Sequence, residues 1–422
     1  LEAAHFQRDS FRVRVDGFER SLLRQSLHRR AAGRRVCGER RGQYQHGASD
    51  DQGFRGQGAG RITGVCYLRI DLQVLQRVTE ARINTINMPG DGRLAALRDW
   101  LSGISAVANS ELVPASEDAS FRRYFRVSSN GETYIVMDAP PEQEDSHPFV
   151  RVAGYLETMQ LNAPRVLDGD LDKGFLLLTD LGSRHYLEHL RRDGDAAGSL
   201  YAAALRSLLQ MQRQGTAFQS LLPPYDETLL RFELSLFHDW LCETHLGLQF
   251  GIDDERQWQQ LCDLLVNNAL DQPQVFVHRD YHSRNLMVAG EASPGILDFQ
   301  DAVEGPLTYD LVSLLKDCYV TWPTEKVDAW RQSFYDGQDP ATRAAVTPAQ
   351  FKRYFDLMGV QRHLKAAGIF ARLNHRDGKP GYLADVPRTL RYIVELQADY
   401  KELDFLVRWI EERVLPGLEA SA

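Results

Sequence analysis

Residues 275–301 read VFVHRDYHSRNLMVAGEASPGILDFQD. The apolar run Val275-Phe276-Val277 predicts a short buried strand that delivers His278-Arg279-Asp280 onto a loop, and Asn285 follows Asp280 by five positions. Leu286-Met287-Val288 and Gly295-Ile296-Leu297 predict two more short strands, joined by a turn rich in Gly, Ser and Pro, with Asp298 at the end of the second. The spacing suits metal-assisted phosphoryl transfer from ATP. Asp280 would align the acceptor hydroxyl and take its proton, while Asn285 and Asp298 offer oxygen ligands to Mg²⁺. His278 is then a hydrogen-bonded core residue that props the loop. A competing reading takes His278, Asp280 and His282 as a transition-metal cluster on alternate residues of an extended segment, but it leaves Asn285 and Asp298 without a role.

The 422 residues are 43% hydrophobic, ample for a sizeable core, and no apolar run approaches the length of a membrane span. Cys37, Cys66, Cys242, Cys262 and Cys318 are scattered and odd in number, a pattern that fits reduced thiols in the cytoplasm. Charge is unevenly divided. Residues 1–87 hold sixteen Arg, no Lys and nine acids, a net of +7, and the remainder carries −16. Met88 is the first methionine, and Leu94, Leu97, Leu101 and Ile104 recur after it at helical spacing. Residues 1–87 therefore read as a poorly structured extension or translated upstream sequence. Their arginines alternate with acids and no recognition motif accompanies them, so no nucleic-acid partner is expected.

Residues 88–182 read as a small α+β lobe. Phe121 to Val127 alternates aromatic and basic residues, Asn130-Gly131 signals a hairpin before Thr133–Met137, Phe149 to Leu161 reads as a helix, and strands follow at Pro164 and at Gly174–Gly182. Residues 183–422 are mainly helical, with helices expected near 197–214, 226–246, 254–270, 308–320, 347–371 and 388–413.

A strand-rich lobe, a hinge strand, a helical lobe, and HRDYHSRN followed by LDFQD together resemble the aminoglycoside phosphotransferase and choline kinase branch of the protein-kinase-like fold. The resemblance covers roughly residues 95–410. It implies a two-lobed α+β architecture, a small antiparallel-sheet lobe and a larger helical lobe, with ATP and Mg²⁺ as cofactors. Gly305-Pro306-Leu307-Thr308-Tyr309-Asp310-Leu311 matches the family's continuation after the metal aspartate, and Asp310 is expected to anchor the loop. Within the branch, FRRYFRV, LLLTDLG, HRDYHSRN and GIFARLNHRDGKPGYL are most similar to bacterial anomeric kinases of N-acetylated amino sugars in cell-wall recycling. That similarity implies a small-molecule amino sugar as partner, with no obligate protein partner evident.

One departure stands out. The family's phosphate-binding lysine is expected near Met137, yet the first lysine of the chain is Lys173, and the helix starting at Phe149-Val150-Arg151-Val152 lacks the partner glutamate. Phosphate charge would then meet Mg²⁺, the backbone of Ser116-Glu117-Asp118-Ala119-Ser120, and Arg122, Arg123 or Arg126, of which strand alternation lets at most two face the cleft. Thr179, Asp180 and Leu181 supply the hinge for adenine, with Val127 as apolar ceiling and Leu286 or Ile296 as floor. For the acceptor, Tyr281, His282, Arg284, Gln300 and Asp301 are candidates near the loop. Tyr319, Trp322 and Tyr382 offer aromatic faces for a sugar ring. A carboxylate on the acceptor would be met by Arg284, Arg372, His375, Arg376 or Arg388.

Overall fold

The computed structural model describes residues 92–117, 121–290 and 293–421. The chain parts into two units, Leu1–Asn87 and Met88–Ala422, and every described residue belongs to the second. The extension expected over residues 1–87 lies outside the described residues.

Helix α1 (Gly92–Ser102) precedes five antiparallel strands, β1 (Val113–Glu117), β2 (Arg123–Ser129), β3 (Glu132–Asp138), β4 (Val166–Asp170) and β5 (Phe175–Thr179), in spatial order β1-β2-β3-β5-β4. Helix α2 (His147–Thr158) lies in the chain between β3 and β4. The β2–β3 hairpin turns at Asn130 and Gly131, whose φ values of 53° and 83° give the left-handed pair that a tight two-residue turn requires. Ser116 and Glu117, expected in a phosphate-facing turn, instead pair with Tyr124 and Arg123 as the end of β1. Asp118, Ala119 and Ser120 lie outside the described residues.

Alternation along the strands gives the sheet two buried faces. Val127, Val136, Phe175 and Leu177 pack with Leu97 and Leu101 of α1, while Met137, Leu176 and Leu178 join the main core with Phe149, Val152 and Leu156 of α2. Each such side chain contributes roughly 1.5–3 kcal/mol on burial, which makes the covered sheet a firm wall for the cleft.

The helical lobe comprises α3 (Tyr186–Arg192), α4 (Ala197–Gly215), α5 (Glu227–Leu236) with its π-helical continuation Phe237–His245, α6 (Ile252–Leu270), α7 (Tyr309–Leu315), α8 (Thr324–Asp336), α9 (Pro340–Ala345), α10 (Pro348–Asp377), α11 (Val386–Val394), α12 (Asp404–Trp409) and α13 (Leu415–Ser421). The 30 residues of α10 run for about 45 Å. Its ends are written locally: the Thr347 side chain accepts from the Gln350 N–H, Pro348 opens the first turn, and Gly378 closes it at φ 63°. A Cβ on Gly368 would lie 2.2 Å from the Leu236 backbone, so α10 meets the end of α5 almost backbone to backbone.

Three helix expectations are corrected. Helix α10 runs on to Asp377, past the end expected near residue 371. The helix expected over 308–320 stops at Leu315, because Asp317 turns the chain by accepting from the N–H groups of Ser283 and Tyr319 at 2.9 and 2.8 Å. The segment 388–413 divides into α11 and α12. Helices α8 and α9 had no clear sequence signal: α8 buries only Val327, Phe334 and Tyr335, and α9 buries nothing.

Candidate active site

Strand β6 (Gln274–Val277) pairs with β9 (Val303–Pro306) and delivers His278 into the core. There the Asp310 carboxylate, in the first turn of α7, accepts from the N–H groups of His278 and Arg279 at 2.7 and 3.0 Å. Arg279 sits at φ 78°, a conformation that a bulky residue rarely holds without such clamping. Burial pushes the Asp310 carboxyl up to about 7, against the pull of those two amides. His278 is fully buried, and its Nδ1 accepts from the Asp280 N–H at 3.2 Å. Burial drops its pKa to about 4, so the ring is a neutral prop.

From Asp280 the loop makes a tight turn. The Asp280 carbonyl accepts from the His282 N–H at 3.0 Å, and the His282 carbonyl accepts from the Asn285 N–H at 2.9 Å. The Asn285 amide nitrogen then donates to the Asp280 carbonyl at 3.1 Å and to the Asp298 carboxylate at 3.2 Å. The two-residue strands β7 (Leu286–Met287) and β8 (Gly295–Ile296) pair between them and return Asp298 to the loop at φ 62°. Asp280, Asn285 and Asp298 are thereby brought together. The Asp298 carboxylate and, with its amide turned over, the Asn285 oxygen would supply the oxygen donors that suit a hard divalent cation. Gln300 donates to Asp298 at 2.8 Å, and Asp301 is exposed on the turn beyond it. The competing metal cluster of His278, Asp280 and His282 does not form: His278 is bonded inward, and among the described residues only His238, Asp239 and Glu243 converge closely enough to share an ion.

Beneath the loop lies a charged network with no sequence signal that marks it. Glu233 of α5 accepts from Arg279 at 2.6 Å, pairs with Lys365 of α10 at 3.0 Å and accepts a further hydrogen bond from the Tyr225 hydroxyl. Lys365 also donates to the Tyr309 hydroxyl at 2.8 Å. Burial alone would raise the Asp280 carboxyl, but Lys365, His282, Arg279 and Arg362 hold it below its ordinary value. That environment favours the ionised carboxylate, the form in which Asp280 can accept a hydrogen bond. Glu233 and Lys365 are buried among apolar helix positions.

Between the lobes opens a cavity of about 590 Å³. Tyr124, Arg126 and Ile135 line it from the small lobe, Thr179, Asp180 and Leu181 from the hinge, and Arg284, Asn285, Asp298 and Tyr319 from the helical lobe. Of the three candidate arginines, Arg126 alone reaches it. Arg122 is buried against Glu144 at 3.0 Å, and Arg123 is held with Arg93 on the buried Asp138 carboxylate. Val127 faces α1, and Leu286 and Ile296 face the core; their strand neighbours Met287 and Leu297 line the cleft, a one-residue parity difference. Tyr281 is corrected from sugar contact to core residue, since its ring is fully buried and its hydroxyl donates to the Ala204 carbonyl at 2.9 Å. His282 is buried with its ring 5.5 Å from that of Tyr319. Met137 and Phe149 occupy the region of the missing lysine and glutamate as buried apolar residues, and Phe149 packs on Phe299 at 4.8 Å. Trp322 donates to the Tyr201 hydroxyl at 2.7 Å and packs against Trp330.

A small antiparallel lobe, a helical lobe and this loop in the cleft between them define a kinase-like phosphotransferase. The sequence profile of the phosphotransferase enzyme family matches residues 111–349, and the chain belongs to that family. It is 47% identical over 333 residues to the N-acetylmuramate/N-acetylglucosamine kinase of Pseudomonas aeruginosa, covering 75% of this chain and 95% of that protein. It is 40% identical over 331 residues to the protein of the same name from Neisseria meningitidis, covering 76% of this chain and 96% of that one. Among solved structures, Plasmodium vivax ethanolamine kinase superposes with a TM-score of 0.54 at 10% identity, covering 78% of this chain and 96% of that chain, a likeness of fold.

Proposed function

We propose that this protein is an ATP- and Mg²⁺-dependent kinase of N-acetylmuramate and N-acetylglucosamine that phosphorylates the anomeric hydroxyl and serves cell-wall recycling in the cytoplasm. The observation that carries the reading is 47% identity over nearly the full length of a relative so named, joined to the clustering of Asp280, Asn285 and Asp298. Among the described residues no helix is long and apolar enough to cross a membrane.

In the reaction, the ionised Asp280 carboxylate accepts a hydrogen bond from the acceptor hydroxyl and aims its oxygen at the γ-phosphate. An anomeric hydroxyl is more acidic than an ordinary alcohol, which lightens the demand on that base. Asn285 and Asp298 would hold Mg²⁺, which screens the phosphate charge when bound. The hinge backbone at Thr179–Leu181 meets the adenine edge, and Arg126 stands at the phosphate side of the small lobe.

The test is ³¹P NMR of the full chain with Mg-ATP and each sugar in turn. A sugar phosphate coupled to the anomeric proton is the expected product, and Asp280→Asn should lower its rate by roughly 10²–10⁴. ATP left intact with both sugars but consumed with an aminoglycoside or choline would remove the substrate and keep the family.

A further inference from the structure

We propose that Arg284 binds a carboxylate on the acceptor and thereby sets the preference between N-acetylmuramate, which carries a lactyl carboxylate, and N-acetylglucosamine, which lacks one. The proposal rests on the amino-sugar reading above. Arg284 precedes Asn285 in the chain and lines the same cavity from the helical-lobe side, as Tyr319 and Asp385 do. Its guanidinium carbon lies 4.8 Å from the Tyr319 ring centroid and 5.4 Å from that of Tyr382. The two tyrosines restrict the swing of the guanidinium and also hydrogen-bond it, and its five N–H donors outnumber those two bonds, so donors remain for a ligand.

Arg191 of α3 also lines the cavity, and the remaining cations considered for such a group are committed elsewhere or stand apart. Arg388 is held by Asp385 at 2.7 Å and by the Cys318 carbonyl at 2.8 Å, Arg376 by Asp377 at 2.8 Å, and His375 contacts His245 at 3.0 Å. Arg372 does not line the cavity. Arg126, on the nucleotide side, is paired with Asp180. Among the described residues no carboxylate forms an ion pair with Arg284, although its neighbour Asp385 forms one with Arg388. An exposed arginine stacked on aromatic rings beside the metal-binding pair, and left without an acid, is suited to take its counter-ion from the substrate. The guanidinium fork matches a carboxylate with two parallel N–H bonds, which an ammonium cannot reproduce.

The experiment compares wild type, Arg284→Gln and Arg284→Lys, all as the full chain, in steady-state kinetics with both sugars and varied ATP. The expected result is a shift of the kcat/KM ratio toward N-acetylglucosamine by about 10- to 100-fold in Arg284→Gln, carried by KM for N-acetylmuramate. Arg284→Lys should fall between, because charge survives and the fork does not. The methyl ester of N-acetylmuramate should behave with wild type as the free acid behaves with Arg284→Gln. An equal loss on both sugars, or a raised KM for ATP, would overturn the assignment and make Arg284 a phosphate-binding or structural residue. Failure of the wild type on both sugars would instead take down the amino-sugar reading, and the assignment with it.

Discussion

Arg126 of β2 and Asp180, just past the end of β5, form a two-point ion pair on the wall of the cleft, Nε to Oδ2 at 2.6 Å and Nη2 to Oδ1 at 3.1 Å. Arg126 also donates to the Gly182 carbonyl at 2.9 Å. Burial pulls against the Asp180 charge, yet the bonds from Arg126, Gly182 and Thr133 hold its carboxyl below the ordinary value. The pair ties strand β2 to the segment that follows β5. It also fixes the orientation of the small lobe's cleft-lining arginine, which the proposed function sets on the phosphate side. Arg126→Gln is expected to raise KM for ATP by about tenfold, a loss of about 1.4 kcal/mol, and to leave KM for the sugar unchanged. Steady-state kinetics with each substrate varied would expose a role confined to folding, which would lower activity without that split.

Met137 is fully buried in the main core where the family's lysine is expected. The first turn of α2 contains no acid to receive an ammonium there. Met137→Lys should therefore lose stability by about 2–5 kcal/mol in chemical denaturation and gain no affinity for ATP. Met137→Leu should stay within about 1.5 kcal/mol. A lower KM for ATP in the lysine variant would show that the site had merely lost a residue it could still use.

Asp310 is buried and accepts two backbone N–H groups of the catalytic loop. Asp310→Ala leaves both donors without a partner, a penalty of roughly 1–3 kcal/mol for each. The expected readout is a lower denaturation midpoint and reduced soluble yield. By contrast, Asp280→Asn should fold normally and lose turnover.

His363 of α10 donates from Nε2 to the Lys316 carbonyl at 2.9 Å, fully buried, and its pKa is lowered to about 3 chiefly by burial. An unfolded histidine titrates at about 6.5. Between these values the unfolded chain binds the proton and the folded one does not, so stability is lost as pH falls from 6.5 toward 3. His363→Gln removes this share, on the order of 5 kcal/mol across the full window. Denaturation midpoints of wild type and variant should converge as the buffer is taken from pH 7 to pH 4. Parallel curves would mean that the ring is protonated in the fold.

The pieces of the fold legible in the sequence are those whose signal is local. Asn130-Gly131 specifies its hairpin because those residues tolerate left-handed φ, and Thr347-Pro348 with Gly378 bounds the long helix because caps act within one turn. The five-residue step from Asp280 to Asn285, and the short hairpin leading to Asp298, likewise need little beyond the segment itself. By themselves these determine the kinase-like class and its three central side chains. Strand alternation limits the cleft arginines to two at most but does not choose the face, and so Arg126 was separated from Arg122 and Arg123 only by the packing of α1 and by the positions of Glu144, Asp138 and Asp180. The same parity moved the cleft lining from Leu286 and Ile296 to Met287 and Leu297. Glu233 and Lys365 lie 132 positions apart in the chain, and the stacked Arg284 and Tyr382 lie 98 apart. Side chains so distant meet through the crossing of helices, a long-range consequence of core burial, and that is why the charge environment of Asp280 and the aromatic bracket of Arg284 were decided by the tertiary structure alone.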